Sequence, residues 1–233
     1  MSNRPSPKPS RREEAKGERR ARIVNSARDI LRDSGVEGLS VKAVAARAGV
    51  SLSTIYSLFT SLNEILASVH DQDFRHFASL FTGARSADAL ARFFDAIDIA
   101  AERYREDPGF YRAIMRRDTG ATPDAARDTW LKQPRAFWLN LIVGAVEEGF
   151  LRPNVDPATL NLTLNQILSG ATADWVMHRI SETRFAGEAK FACACLLAAF
   201  ARGKARQRLE QIITREHDLL RASPRAGTPP AAD

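Results

Sequence analysis

The sequence predicts an all-α protein: an N-terminal three-helix helix-turn-helix head followed by a larger C-terminal helical domain. Three observations carry this. Apolar residues recur at three- and four-residue steps along most of the chain, interrupted by Gly, Pro, Ser and Asp, and the period-two alternation of strands is missing. Residues 39–66, LSVKAVAARAGVSLSTIYSLFTSLNEIL, read as two short helices around a glycine turn and a capped third helix. The charge is one-ended: residues 1–60 hold 12 Lys and Arg against 6 Asp and Glu, and the rest of the 233 residues holds 22 of each. A basic excess confined to a helix-turn-helix and its leader suits phosphate binding, because neutralised phosphates release counterions.

Residues 1–17 contain three prolines, scattered serines and basic residues without an apolar period, so a disordered basic leader is expected there. It is open to two readings, a DNA-contacting arm or a solvated tail. The head spans 18–66. Its first helix runs from Glu18 to Ser34-Gly35, with Ile23, Ala27, Ile30 and Leu31 on one face and Arg19, Arg20, Arg22 and Arg28 on others. Ser40 caps the second helix, whose Val41, Val44, Ala45 and Ala48 face inward; the small alanines let the next helix cross closely above. Gly49 supplies a left-handed turn, and Ser51 caps the third helix.

On that third helix Ile55, Leu58 and Phe59 point inward, which leaves Leu52, Ser53, Thr54, Tyr56 and Ser57 to enter a major groove. With no Arg or Lys among them, base reading falls to hydroxyls and to thymine-methyl contacts of Leu52 or Thr54. Lys42, Arg47, Tyr56 and the helix N-termini are expected on phosphates. Packing on a neighbouring helix is the alternative for Tyr56. Ser61 and Glu64 form a capping box that starts the next helix.

Residues 45–66, AARAGVSLSTIYSLFTSLNEIL, resemble the DNA-binding signature of the tetracycline-repressor (TetR) family: an Ala-Gly-Val-Ser turn, a Tyr and a Phe three apart, and a capped exit helix. The resemblance is specific over 18–66 and architectural beyond. It implies an all-helical homodimer with a DNA-binding head and a helical domain that binds a small effector and dimerises through its last two long helices. By matching positions it implies DNA contacts at Ser51, Ser53, Thr54, Tyr56 and Ser57. The chain departs from the pattern at Leu62 and Asn63, where the family usually has Lys and an acidic residue.

Residues 67–222 form the expected effector and dimerisation domain, and 223–233 a disordered tail. The exit helix continues to about Leu80, with a break at Gly83 to Ser86; His70, Asp73 and His76 on it have a metal-like spacing but read as helix surface, and no metal or cofactor is expected. Further helices run from Ser86 to Glu106 and from Phe110 to Arg117. Another follows the Gly120–Pro123 turn to Glu148, with a kink or new start at Pro134. One more spans Pro157 to about Ile180, capped by Asp156, and the last spans Phe185 to about Leu220.

Phe93, Tyr104, Phe110, Tyr111, Trp130, Phe137, Trp138 and Trp175, with polar Asn165 and His178, are the candidate lining of a cavity for a small, partly apolar effector. Leu164, Ile167, Leu168 and Ala171, with Ala192, Leu196, Ala199 and Phe200, are stripes suited to a four-helix dimer interface or to packing within one subunit. Cys193 and Cys195 read as core thiols of a reducing compartment. With no apolar signal core and no membrane span, a cytoplasmic protein without membrane partners is expected.

The function predicted is a ligand-responsive transcriptional regulator, a repressor released from a palindromic operator on double-stranded DNA. The competing reading is a helical enzyme or adaptor with a vestigial head. No phosphate loop, metal motif or nucleophile elbow supports catalysis, so a non-enzyme is expected.

Overall fold

The computed structural model describes residues 10–83, 88–118 and 124–223, which form ten helices and no strand. The leader before residue 10, the turn at 120–123, the break around Ser86, the side chain of Trp130 and the tail from 224 lie outside the described residues.

Helix α1 (Arg11–Ser34) begins seven residues before the expected Glu18, so the second half of the leader is helical. The cause is local: Ser10 Oγ accepts from the Glu13 amide while the Glu13 carboxylate accepts from the Ser10 amide at 2.7 Å, a reciprocal capping box. Ile23, Val24, Ala27, Ile30 and Leu31 form its buried face. Helix α2 (Val41–Ala48) starts at the Ser40 cap and stops at Gly49, whose φ of 65° and ψ of 39° are left-handed. Helix α3 (Leu52–Leu58) starts at Ser51, which accepts from the Thr54 amide at 3.1 Å. Helix α4 (Leu62–Gly83) follows, with Ser61 Oγ accepting from the Glu64 amide. The Glu64 carboxylate accepts from the amide and hydroxyl of Thr60 at 2.7 and 2.9 Å, one residue upstream of the expected box partner.

The body comprises α5 (Ala89–Glu106), α6 (Pro108–Asp118), α7 (Asp124–Glu147), α8 (Pro157–Val176), α9 (Glu182–Ala198) and α10 (Gly203–Ala222). Three expectations change here. Helix α7 passes through Pro134 as one helix, so no new start lies there; a single missing amide removes one bond of the ladder and its neighbours maintain the rest. Helix α8 ends at Val176, short of Ile180, because His178 turns to a φ of 57° and Ser181 already caps α9. The expected last helix is two. Residues 200–202 leave the helical ladder and pair with a distant segment: Arg152 N–H donates to Phe200 O at 2.9 Å and Arg202 N–H to Phe150 O at 3.0 Å, and Gly203 follows at a φ of 48°.

Two apolar clusters hold the molecule. One joins the head residues Ile23, Leu31, Val44, Ile55, Phe59 and Ile65 to Tyr104, Phe110, Tyr111, Ile114, Trp175 and Phe185 of the body. The other lies within the body and includes Phe93, Ile97, Ile142, Leu160, Leu164, Cys193 and Leu197. Cys193 is a core thiol, its pKa pushed up to about 12 by burial, whereas Cys195 on the next turn face is exposed and is no core residue. No helix among the described residues is long and apolar enough to cross a membrane.

Candidate nucleic-acid interface

Helix α3 is held from beneath and from its end. Ile55 and Phe59, each 1% exposed, anchor it in the head core. The Arg20 guanidinium lies 4.0 Å from the Phe59 ring centroid, donates to Leu58 O and pairs with Glu64 at 3.3 Å, so one arginine ties α1, the end of α3 and the start of α4 together. Arg20 read in the sequence as a basic face residue; its partners lie 38 and 44 residues away and no local pattern reveals them.

So anchored, α3 presents Leu52, Ser53, Tyr56 and Ser57 to solvent, with Thr54 half-buried. Tyr56 is 61% exposed, which rules out packing on a neighbouring helix as its role. The hydroxyls are not equally available. Ser51 Oγ is shared among the Thr54 amide, Ser53 Oγ at 2.8 Å and Thr54 Oγ1 at 2.9 Å, and Ser57 donates back to Thr54 O at 2.8 Å. Ser53 and Thr54 give up their bonds to Ser51 on turning outward, whereas Tyr56 already stands in solvent. Lys42 is exposed on α2, and Arg47 pairs with Asp33 at 2.7 Å, so a phosphate would have to compete with that carboxylate.

The family model for bacterial regulatory proteins, tetR family, matches residues 23–69, the stretch that builds this head. The head of this chain is a TetR-family DNA-binding domain. Two relatives extend the likeness beyond the TetR head. The HTH-type transcriptional repressor KstR of Rhodococcus jostii is 24% identical over 183 residues, covering 78% of this chain and 84% of that protein. The HTH-type transcriptional activator FasR of Mycolicibacterium smegmatis is 29% identical over 114 residues, 47% of this chain and 51% of that protein. The structure of RolR in complex with resorcinol superposes with a TM-score of 0.64 at 16% identity, covering 87% of this chain and 96% of RolR, and so shares the TetR fold.

In the TetR-type body the expected pocket residues separate into two groups. Tyr104, Phe110, Tyr111 and Trp175 are core: Tyr104 stacks on Trp175 at 4.6 Å and meets Tyr111 at 5.2 Å, and none of the four is more than 9% exposed. Phe137 and Trp138 are half-buried on α7, with buried Phe93 at 5.2 Å from Trp138. Three phenylalanines of α4 that the sequence reading left out of the pocket, with Phe74 and Phe77 read only as part of the apolar stripe of the exit helix, stand near Phe137: Phe74, Phe77 and Phe81 lie 6.1, 5.1 and 4.9 Å from it and are also half-buried. Their i, i+3, i+7 spacing was the available signal. Asn165 donates to Asn161 on its own helix, and Asn161 donates to Arg135 O of α7. His178 is exposed beyond the end of α8, which stops at Val176.

The candidate dimer stripes are largely occupied within the chain. Leu164 is fully buried, and Ile167, Leu168, Ala171, Leu196 and Phe200 pack against the body core; Ala192 is half-buried and Ala199 exposed. Among the residues α8 leaves outside are Leu162, 63% exposed, with Gln166, Ser169 and Gly170.

Proposed function

We propose that this chain is a dimeric repressor that reads a palindromic operator with the α3 helices of its two copies and leaves it when a small, partly apolar effector binds. The observation that carries the reading is the rigid seating of α3 by Ile55, Phe59 and Arg20, with Leu52, Ser53, Thr54 and Tyr56 on its open side. Two copies place their recognition helices in successive major grooves about 34 Å apart. Lys42, Arg47 and Ser51 position the head on phosphates, Ser57 reinforces α3, and Ser53, Thr54, Leu52 and Tyr56 meet the bases and their flanks. The copies meet through the outer face of α8, Leu162, Gln166 and Ser169, beside Cys195 and Ala199 of α9, with the remaining stripe residues supporting that face from within. KstR is a repressor and FasR an activator, and the direction proposed here follows the relative that matches most of the chain.

The effector site proposed is the aromatic layer between α4 and α7, Phe74, Phe77, Phe81, Phe137 and Trp138, with Phe93 behind it and Trp130 on the same helix as Trp138. RolR holds resorcinol, a small ring of the same mixed apolar and polar character. Since α4 runs from that layer directly to the Ser61 cap beneath the head, an effector that favours one setting of α4 changes the spacing of the α3 pair, and the coupling is reciprocal. Selection of binding sites from a random DNA pool by the purified full-length chain tests the reading. A palindrome with half-sites about one helical turn apart is expected. Retention without sequence preference at physiological salt would overturn it.

A further inference from the structure

The first three turns of α1 are a basic helix laid beside the recognition helix. Arg12, Lys16 and Arg19 stand at i, i+4 and i+7, on the stripe that continues into Ile23, and Ile23 is fully buried in the head. The stripe that packs on the core therefore overhangs the end of α3 once the core runs out. A recess of about 430 Å³ lies between the two elements, lined by Arg12, Glu13, Lys16 and Arg19 on α1 and by Thr54, Ser57 and Leu58 on α3. Arg12, Lys16 and Arg19 are all exposed.

The acidic residues of these turns leave the ridge net positive: Glu13 lines the same recess beside Lys16 and offsets one of its three charges. Glu13 is turned back onto the Ser10 amide, its pKa lowered first by that bond, and Glu14 and Glu18 fall on the opposite side of the helix. Arg19 bonds its own helix at Ala15 O through Nε, which leaves its terminal guanidinium nitrogens to other partners. Helix α3 itself carries no charged residue, and the first turn of α4 offers Leu62, Asn63 and Glu64 without a cation. A duplex seated on α3 thus meets positive charge on α1 beside that helix, in addition to Lys42 and Arg47 of α2.

We infer that Arg12, Lys16 and Arg19 form a second DNA-contacting element, a phosphate-binding ridge on the extended N-terminus of α1 that grips the backbone next to the groove read by α3. The inference rests on the regulator reading above. Phosphate contacts set affinity and salt dependence and carry no base identity, so the ridge acts on every sequence alike.

The test uses the full-length chain and the duplex it selects from a random pool, with dissociation constants measured by fluorescence anisotropy across a salt series. Arg12→Ala, Lys16→Ala and Arg19→Ala together remove three cations from each of the two copies and are expected to lower the slope of log affinity against log salt by about 5, so that between about 50 and 200 mM salt the parent loses about 1,000-fold more affinity than the variant. The order of preference among operator variants stays the same. A charge-keeping set, Arg12→Lys, Lys16→Arg and Arg19→Lys, retains the parental slope. An unchanged slope in the alanine set, at parental helicity, would overturn the ridge while leaving sequence selection intact. An altered base preference would overturn its phosphate character, and loss of the slope in the charge-keeping set would do the same. If the parent chain selects no sequence, the regulator reading fails first, and the two failures are told apart.

Discussion

His70 sits on α4 where the head meets the body, and burial lowers its pKa from 6.5 against the opposing pull of Asp73 and Asp71. Being depressed in the folded chain, the group is neutral there at pH values where the unfolded chain already binds a proton. Its contribution to stability is therefore fully present above pH 6.5 and is lost as the pH falls below that value. The lowered carboxylates Glu64, Asp88, Asp156 and Glu182 act in a separate window, since their contributions fade only as the pH falls through values below 4.5 for Glu and 3.8 for Asp. Urea midpoints are accordingly expected to drop between about pH 7 and 5.5, before the carboxylates titrate, and His70→Gln should flatten that drop. A drop of equal size in the variant would contradict the assignment. His70 was legible in the sequence only as part of a metal-like spacing with Asp73 and His76. Its neighbour Asp73 serves other partners, because three groups from three helices converge on it.

Those three groups make Asp73 the junction between elements. Arg28 of α1 reaches Oδ1 at 3.0 Å, Arg103 of α5 at 2.7 Å, and the Tyr111 hydroxyl of α6 donates to the same oxygen at 2.9 Å. Burial, then the Asp73 charge, pushes the Tyr111 pKa well up, so the phenol stays a donor. Arg28 also lies 3.8 Å from the Phe110 ring centroid and Arg32 pairs with Asp107 at 2.8 Å, which fastens α1 to α6 as well. With the Arg103 side chain only 7% exposed, Asp73→Asn leaves a nearly buried cation without its counter-charge. A loss of about 3 kcal/mol in unfolding free energy is expected, measured by urea titration at neutral pH, while Asp29→Asn on the exposed flank changes it by less than about 0.5 kcal/mol. Equal small effects for both would show that the junction holds nothing. Such long-range partners explain which elements could be read in advance. The caps at Ser40, Ser51 and Ser61 and the Gly49 turn are decided within four residues, so the head was legible, and the Ser10 to Glu13 box that lengthens α1 was visible in principle. The division of α9 from α10 was not, since it depends on residues 150–152 offering bonds to 200–202. The same limit applied to the aromatic residues, whose division into core and open layer depends on which helices meet.

At the scale of the whole molecule, the boundary drawn at residue 66 separates sequence patterns but not the apolar core. Ile23, Ile55, Phe59 and Ile65 of the head share one cluster with Phe110, Tyr111, Trp175 and Phe185 of the body, and α1 lies against α6. A head resting on that cluster cannot lose its own packing without exposing the body residues beneath it, each worth about 1.5 to 3 kcal/mol of burial. It also cannot swing freely on a linker, so a shift in the body must reach α3 as a displacement of packed helices, through α4 and α6 together. This argues for one cooperative unfolding unit. All three tryptophans, Trp130, Trp138 and Trp175, belong to the body, and Trp175 is fully buried in the shared cluster. Their fluorescence therefore reports on the body and operator binding on the head. In a urea titration of the full-length chain the two signals are expected to disappear at the same midpoint. Loss of operator binding at clearly lower urea, with Trp175 still buried, would mean that the head melts alone and that the shared core does not transmit what happens beneath it.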